Sequence, residues 1–314
     1  MYQLSKENIG KYEVLHFSDK KSGHHLKVVP EKGGIISEFG MHGNILLKGY
    51  DNFAELDTLS WSRAALLAPF PNRLRDGKFS FGGEQFSFPI NNEATQTAIH
   101  GLIRQFPFTA DDIVTEEDYC QVTCSTSYDG DKDYFPFSFK ATVIYTLHNE
   151  QGLSFVFSVS NTGDRAVPVG LGWHPYFKIS EKVDDCRLKL PDLSMVEIDA
   201  QMIPTGQTAP FTAFSASEKI EDFVFDNCFK INADFDSEFA EVHLTSKRGT
   251  LTYFQPVRYP FLQIFTPPQR DCIAFEPMSC NVDAFNNGEG LQVLLPGEST
   301  DLACRVNFVP NKVL

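Results

Sequence analysis

The feature that most constrains the fold is an alternation of apolar and polar side chains with a period of two residues. It is clearest in GKFSFGGEQFSFPI (77–90), where two such runs flank a Gly-Gly turn, and in residues 139–163, where a second hairpin turns at NEQG. Arg248-Gly249 marks another turn between alternating runs. Successive side chains of a β-strand point to opposite faces, so this pattern predicts short strands joined by tight turns.

Helical periodicity is almost absent from the chain. Residues 51–67 contain at best a short helix, and no other run sustains a helical pattern. The 29 phenylalanines strengthen the preference for strands, because aromatic side chains fit the pleated surface of a sheet. No Ser/Gly-rich linker and no internal repeat divides the sequence. We therefore predict an all-β chain, a sandwich or barrel, in which residues 1–314 form a single domain.

The charge balance narrows the choice of partners. The sequence contains 27 lysines and arginines against 41 aspartates and glutamates, for a formal net charge of −14. Such an acidic surface repels phosphate backbones and anionic lipids, so we expect no nucleic-acid and no membrane partner. An anionic substrate is also disfavoured unless a local group of arginines receives it.

The cysteines and the N-terminal stretch bear on the compartment. Seven cysteines are an odd number without the spacing of a disulfide framework, and Cys120 and Cys124 lack the matching pair of a zinc site, so we predict reduced core thiols. The stretch MYQLSKENIGKYEVLHF lacks the pattern of a secretory signal, and no apolar run approaches the length of a membrane span. These features favour the cytoplasm.

Five places combine ionisable or amide side chains with glycine, proline or aromatic neighbours. They are Asn72 and Arg73 in APFPNRLRDGKF, His100 in AIHGLIR, His174 in LGWHPYF, Asp226 in VFDNCF, and Glu276 in AFEPM. Loops at the ends of strands commonly carry binding and catalytic groups. The sequence has no metal-ligand spacing such as HxH or HExxH, no nucleophile elbow and no phosphate-binding glycine loop. We therefore predict neither a metal nor a cofactor.

Each candidate also has a purely structural interpretation. A histidine among aromatic residues, such as His174, is usually a hydrogen-bonded core residue, and His100 beside a glycine fits an exposed turn. Asn72 and Arg73 could merely close a loop. Asp226, followed by an asparagine, could lie in a turn or a bulge.

Glu276 is the candidate least easily explained by structure alone. It follows the apolar run Ile273–Phe275, where burial of a carboxylate is costly. We expect Glu276 to leave the strand and enter a loop at Pro277, so that its carboxylate lies either in water at the strand end or in a polar site.

The candidates are more informative as a set than one by one. Two histidines, two carboxylates, an arginine and an asparagine amid aromatic residues suit a carbohydrate cleft. Sugars present hydroxyl edges to charged and amide groups, and apolar C–H faces to aromatic rings. We therefore predict a small-molecule sugar as the ligand.

The order and wording of the motifs resemble the aldose 1-epimerase (mutarotase) family. The matching elements follow the family order over roughly residues 30 to 310: NRLRDG, IHGLIR, YFPFSFKATVIYTL, NTG, HPYF, IPTG, FDNCF and the C-terminal E-P…N…G…LLPGE stretch. The resemblance implies the galactose mutarotase-like fold, a large antiparallel β-sandwich often called a supersandwich. It also implies an isomerase that acts without a cofactor, as a monomer or homodimer.

The resemblance assigns the catalytic roles to Glu276 as general base and His174 as general acid, with His100 supporting the reacting end. Anomer exchange agrees with this pairing, because a base must remove the proton of the C1 hydroxyl while an acid protonates the ring oxygen. The free aldehyde then rotates about C1–C2 and closes on the opposite face. The resemblance also implies three residues that hold or frame sugar hydroxyls, namely Arg73, Asn72 and Asp226.

Departures from the family pattern concern the identity of the sugar. The chain reads W-H-P-Y-F where galactose mutarotases typically have N-H-S/T-Y-F, and it has Phe106 and Phe108 where they usually have a tryptophan. Arg73, Arg75 and Arg104 are available for a phosphate, so an epimerase for a phosphorylated or other anionic hexose is one alternative. A non-catalytic sugar-binding protein is another. The acidic background and the NRLRDG wording favour a neutral aldohexose or related sugar.

Overall fold

The computed structural model describes residues 1–232 and 237–311, and strands dominate them. In chain order the first ten strands are β1 (Gln3–Ile9), β2 (Tyr12–Asp19), β3 (His24–Val29), β4 (Ile35–Met41), β5 (Asn44–Ile45), β6 (Leu66–Leu67), β7 (Arg73–Arg75), β8 (Lys78–Phe81), β9 (Glu84–Ser87) and β10 (Thr97–Ile99). The next nine are β11 (Thr109–Thr115), β12 (Tyr119–Tyr128), β13 (Phe139–His148), β14 (Gly152–Asn161), β15 (Val167–Val169), β16 (Gly172–Trp173), β17 (Tyr176–Phe177), β18 (Arg187–Lys189) and β19 (Leu193–Ile198).

The remaining strands complete the C-terminal part of the described chain. They are β20 (Pro204–Phe211), β21 (Glu218–Lys219), β22 (Asp226–Ile231), β23 (Phe239–Ser246), β24 (Gly249–Pro256), β25 (Phe261–Phe265), β26 (Ile273–Met278), β27 (Gln292–Leu294) and β28 (Ser299–Pro310). Helical structure is limited to short segments: α1 (Phe53–Thr58), α2 (Ala284–Asn287) and the 3₁₀ turns Ser60–Ser62, Ile103–Gln105 and Val183–Asp185. None of the described helices has the length and apolarity needed to cross a membrane.

Two large antiparallel sheets form the centre of the fold. One has nine strands in the order β11-β12-β13-β14-β28-β24-β23-β18-β21, and the other has eight, with β20-β19-β22-β25-β26-β16-β6 in line and β17 also paired to β26. Aromatic rings join the two sheets: Phe155 of β14 stacks on Trp173 of β16 at 4.5 Å between centroids, and Tyr253 of β24 lies 6.1 Å from Phe275 of β26. The predicted all-β antiparallel sandwich is therefore confirmed.

A five-stranded N-terminal sheet, β1 to β5, packs against this sandwich. Phe17 and Ile36 belong to the same hydrophobic cluster as Phe155 and Phe275 of the large sheets. The hydroxyl of Tyr145 on β13 donates a hydrogen bond to the carbonyl of the loop between β3 and β4 at 2.9 Å. Smaller two-stranded ladders, β7/β10, β8/β9 and β15/β27, complete the sheets.

The structure confirms the hairpins that the alternation predicts. Strands β8 and β9 flank the Gly-Gly turn, β13 and β14 flank NEQG, and β23 and β24 flank Arg248. The short helix predicted within residues 51–67 is confirmed: it is α1, which is six residues long. All seven cysteines are buried free thiols, and Cys120 and Cys124 point into the core from β12.

One expectation about Glu276 is wrong. The strand does not end at Glu276: β26 continues through Pro277 to Met278, and all six of its residues are buried. β26 pairs with β16 at Met278 and with β17 at Ala274 and Ile273, and this side of the strand is unpaired from Phe275 to Pro277. Pro277 falls within that interruption, where the missing N–H of a proline costs least.

Candidate active site

Residues of β22, β25 and β26, together with the neighbouring loops, line a cleft of about 260 Å³. This volume lies just below the usual range for ligand pockets, about 300–1,000 Å³, and so suits a single sugar ring better than a larger ligand. The cleft contains all six residues that the sequence singles out. Its lining comprises Trp61, Ser62, Asn72, Arg73, Asn92, Ile99, His100, Arg104, His174, Tyr176, Asp226, Gln263, Phe265 and Glu276.

His174 and Glu276 meet at the floor of the cleft. Gly172 pairs with Met278 and Tyr176 pairs with Ala274, so the antiparallel register places His174 across from Glu276. The Nε2 atom of His174 lies 3.4 Å from Oε1 of Glu276, and both side chains are buried. The sequence therefore brings an imidazole and a carboxylate into contact through the pairing of distant segments.

The backbone of His174 is held from the opposite side. Its N–H donates to the carbonyl of Ala65 at 3.1 Å, and its carbonyl accepts from the N–H of Ala64 at 2.8 Å. The ring stacks on that of Tyr176, with centroids 5.0 Å apart and planes 18° apart. The imidazole thus has little freedom to turn away from Glu276.

His100 completes the imidazole side of the cleft. Its ring meets that of His174 edge to face, with centroids 5.2 Å apart. The backbone N–H of His100 donates to the carbonyl of Asn72 at 2.8 Å. Gly101 follows with a positive φ, and a Cβ there would lie 2.2 Å from the carbonyl oxygen of Ala68. Only glycine permits this approach, and the approach places His100 in the cleft. His100 is buried, so the exposed-turn interpretation does not hold.

A chain of hydrogen bonds connects the polar residues on the other side. Arg73 Nη1 donates to Asn72 Oδ1 at 3.0 Å, and Asn72 Nδ2 donates to Gln263 Oε1 at 3.2 Å. Gln263 Nε2 then donates to Asp226 Oδ1 at 3.1 Å. Gln263 pairs directly with Glu276 in the sheet, so the network passes beside Glu276 before it ends at Asp226.

Gln263 is a site residue that the sequence reading missed. It lies in FLQIF, the strand β25, where it is buried among apolar neighbours. A polar residue at a fully buried strand position needs hydrogen-bond partners, and this requirement was the available signal. Asp226 begins β22 and is not in a turn or a bulge.

Burial determines the charges of the cleft. Removal from water raises the pKa of Glu276 well above its usual value, the nearby Asp226 carboxylate adds to the rise, and the Arg73 guanidinium opposes it. Burial also raises the pKa of Asp226. Burial lowers the pKa of His174 to about 3 and lowers that of His100 well below its usual value. Burial therefore favours the uncharged form of both imidazoles.

Several polar atoms of the cleft are left for a ligand or for water. Among the described residues, His100 Nδ1, His174 Nδ1 and Arg73 Nε are buried without a hydrogen-bond partner. Unpaired buried polar atoms are costly, so a ligand or water that supplied partners to these three atoms would be stabilised in the cleft. Within residues 1–232 and 237–311, no three His, Cys, Asp or Glu side chains are grouped as metal ligands.

The segment after α1 forms one wall of the cleft. Four of its residues have a positive φ without being glycine: Leu59, Trp61, Ser62 and Ala64. Side chains of the cleft hold this strained wall in place, since Tyr176 Oη donates to the carbonyl of Trp61 at 3.2 Å and Arg104 Nη1 donates to Ser62 Oγ at 2.9 Å. Such backbone strain is concentrated at functional sites in proteins.

Comparison with known proteins shows which proteins this chain is similar to. The family model described as aldose 1-epimerase matches residues 19–307. The uncharacterized protein YihR of Escherichia coli (strain K12) is 28% identical over 239 residues, which cover 74% of this chain and 75% of YihR. Galactose mutarotase of Homo sapiens is 26% identical over 236 residues, which cover 68% of this chain and 66%, slightly less than two thirds, of the human protein.

Solved structures agree on the fold. A galactose mutarotase-like protein from Clostridium acetobutylicum superimposes with a TM-score of 0.88 at 20% sequence identity, and the match covers 99% of each chain. At this level of identity the likeness concerns the fold, and it confirms the galactose mutarotase-like sandwich. Together with the family model, which spans most of the sequence, it leads to one conclusion: this chain belongs to the aldose 1-epimerase family.

Proposed function

We propose that this protein is an aldose 1-epimerase that interconverts the α and β anomers of a neutral aldohexose or a closely related sugar. The observation that most supports this proposal is the contact of His174 Nε2 with Glu276 Oε1 at 3.4 Å on the floor of a cleft sized for one sugar ring. A proton donor and a proton acceptor at this separation can reach the two oxygens bonded to C1. Ring opening requires both.

Ring opening moves two protons and breaks one C–O bond. The base removes the proton of the C1 hydroxyl, the C1–ring-oxygen bond breaks, and the acid delivers a proton to the ring oxygen. In the proposed assignment, Glu276 is the base and His174 the acid. After rotation about C1–C2, the former ring hydroxyl attacks C1 on the other face of the aldehyde. His174 takes the proton of that hydroxyl, and Glu276 returns a proton to the C1 oxygen.

This assignment requires Glu276 to be ionised and His174 to be protonated before ring opening. Burial alone disfavours charge on both groups and keeps the proton on Glu276. Hydroxyl donors of a bound sugar and the Arg73 guanidinium favour the ionised carboxylate, so substrate binding shifts the proton toward the imidazole. A carboxylate with a raised pKa is also a stronger base toward the C1 hydroxyl.

The remaining polar residues are proposed to hold the sugar. Arg73 presents donors, and Asp226 presents acceptors, to neighbouring hydroxyls. Asn72 and Gln263 fix the orientation of both through their hydrogen bonds. His100 supports the ring of His174 from its edge.

The test is mutarotation of several purified anomers, followed by polarimetry and corrected for the spontaneous reaction. Glu276→Gln and His174→Ala should each lower kcat by at least about 100-fold, the scale of losing a positioned acid or base. Glu93→Gln, which neutralises an exposed carboxylate, is the matched control and should retain the rate. Rates near wild type in either cleft variant would remove that residue from the mechanism. Sugar binding without rate enhancement in the wild type would instead indicate a non-catalytic sugar-binding protein.

One observation favours a second candidate substrate, an anionic hexose. Arg104 lines the cleft and donates to Ser62, yet within the described residues it forms no ion pair with a carboxylate. A guanidinium without a carboxylate partner is suited to a phosphate. If a hexose 6-phosphate is the substrate, Arg104→Met should lower its kcat/KM at least tenfold more than that of the neutral hexose. An equal effect on both sugars would assign Arg104 to the support of Ser62.

A further inference from the structure

A pocket on the nine-stranded sheet is larger than the sugar cleft and separate from it. Its volume is about 550 Å³, within the usual range for small-molecule sites, and among the described residues it shares no lining with the cleft. Strands β14 and β28, the start of β23 and the turn after β24 form its walls. The proposed epimerase chemistry therefore gives this pocket no role.

The pocket lies on the outer face of this sheet. Phe155 of β14 and Tyr253 of β24 point the other way, toward rings of the eight-stranded sheet. Successive side chains of a strand alternate between faces, so the adjacent residues Ser154 and Phe254 lie on the outer face. Both pair directly with Arg305 of β28, which places the side chain of Arg305 on the same face.

Arg305 contacts aromatic rings but no hydrogen-bond acceptor. Its guanidinium carbon lies 4.4 Å from the ring centroid of Phe254 and 5.7 Å from that of Phe239, and its Nε is buried without a partner. Every other arginine of the chain donates a side-chain hydrogen bond to a described residue. Within residues 1–232 and 237–311, Arg305 donates to none. Because unpaired buried donors are costly, an oxyanion in the pocket would be stabilised by this guanidinium.

The other charged groups of the lining limit the ligand to a single negative charge. Arg258 also lines the pocket, but its Nη2 donates to Asp301 at 2.8 Å, so this cation is already paired. Glu238 lines the pocket as well, and it would repel a dianion more strongly than a monoanion. Arg305 is thus the lining cation that remains for a ligand, and one carboxylate balances its charge.

We propose that this pocket binds a small organic carboxylate, whose oxygens accept from Arg305 and whose apolar body packs against Phe239 and Pro256. A planar guanidinium matches the two oxygens of a carboxylate. The hydroxyl of Ser154, the direct cross-strand neighbour of Arg305, offers a further donor at the same end of the pocket. The site is independent of the proposed function, because the sugar cleft is built from other residues.

The first experiment titrates the wild-type protein with benzoate, benzamide and acetate by isothermal titration calorimetry. Benzamide keeps the shape of benzoate without its charge, and acetate keeps the carboxylate without the ring. Benzoate should bind once per chain, and the other two should bind at least tenfold more weakly. Added salt should weaken the binding of benzoate, since part of the attraction is electrostatic. Absence of saturable benzoate binding, or equal affinity for benzamide, would overturn the proposal.

Arg305→Met is the variant that tests the guanidinium. Methionine keeps an apolar stem over the two rings but removes the charge and the donors, so the affinity for benzoate should fall at least tenfold. Arg305→Lys keeps the charge without the planar fork and should give an intermediate affinity. Arg187→Met, on an exposed arginine of β18 in the same sheet, is the matched control and should bind benzoate like the wild type. Unchanged affinity in Arg305→Met would overturn the proposal.

Ser154→Asp separates loss of binding from loss of folding. It places a carboxylate directly opposite Arg305, where an ion pair across the strands supports the sheet while it occupies the guanidinium. The melting temperature should therefore stay at or above that of the wild type, while the affinity for benzoate falls at least tenfold. Unchanged affinity would overturn the proposal. So would benzoate binding that is lost in Arg104→Met but kept in Arg305→Met, because the ligand would then occupy the sugar cleft.

Discussion

The two large sheets differ in how continuously their strands pair and in whether their strands bury polar residues. In the nine-stranded sheet, β13 and β14 pair at every position from Phe139 with Asn161 to His148 with Gly152, and buried and half-buried residues alternate along β13 after its first two residues. In the eight-stranded sheet, β26 buries all six of its residues, a glutamate and a proline among them. Its neighbour on one side is broken into the two-residue strands β16 and β17.

The difference shows where the polar residues of the cleft lie in this sandwich. In a continuous ladder the strands satisfy each other's backbone hydrogen bonds, and one face packs apolar side chains against the core. Such a ladder therefore stabilises the fold. The interruption at His174 leaves space for a side chain and for backbone bonds to another segment. The buried polar residues Asn72, His100, Gln263 and Glu276 all lie around that interruption.

The largest effect that would sharpen this comparison is expected in the continuous ladder. Phe157 is fully buried on β14 and pairs with Val143 and Leu302. Phe157→Ala should lower the free energy of unfolding by about 3–5 kcal/mol, because it removes a large side chain and leaves a cavity. Urea denaturation measures this loss. The kcat of the folded fraction should stay near wild type.

Lys140→Ala provides the control on the exposed face of the neighbouring strand β13 and should change the free energy of unfolding by less than about 0.5 kcal/mol. If Phe157→Ala instead abolished turnover in protein that remained folded, the division between a stabilising sheet and a catalytic sheet would be wrong.

A smaller effect is expected at the hydrogen-bonded side of the cleft. Arg73→Ala should lower kcat/KM by roughly 10- to 100-fold, mainly through KM, since its proposed role is to hold hydroxyls. The guanidinium also opposes the rise in the pKa of Glu276. Its removal should therefore move the acidic limb of the pH–rate profile to higher pH, because Glu276 must be ionised to act as the base.

Steady-state kinetics from pH 5 to 9 would separate the two effects of Arg73→Ala. A fall in kcat with unchanged KM and an unmoved acidic limb would contradict both of them. Arg75→Ala is a suitable comparison, because Arg75 is paired with Asp199 and is not among the residues that line the cleft.

The smallest effect concerns the cost of burying Glu276. An unfolded glutamate titrates near 4.5, whereas burial raises the pKa of Glu276 in the folded protein. The stability linked to this raised pKa is fully present below about pH 4.5 and is lost as the pH rises through the folded value. Glu276→Gln lacks this loss, so its stability relative to wild type should increase from pH 4 to pH 8.

Thermal unfolding of both proteins at several pH values would measure this difference. The opposite sign would mean that Arg73 stabilises the carboxylate more than burial destabilises it. Such a result would reverse the order of the two causes that act on this pKa.

Local patterns in the sequence were sufficient to predict the hairpins and the all-β class, because strand alternation and turn residues act over a few positions. The motifs also marked six residues that the cleft brings together. Two features could not be predicted in this way. Gln263 hydrogen-bonds to Asn72, which is 191 positions away, and the continuation of β26 through Pro277 depends on the gap between β16 and β17. Both depend on pairings between distant segments.

The labelling rates of the buried thiols can report how the folded chain opens. Cys124 and Cys304 lie in the nine-stranded sheet and Cys228 in the eight-stranded one, and burial raises the pKa of Cys124 to about 12. Thiol reagents attack the exposed thiolate, so labelling requires the core to open. If residues 1–314 unfold as one unit, all seven thiols should react at a common rate, whereas an independently opening part would expose its own subset first. The number of labelling phases therefore counts the cooperative units of the native chain.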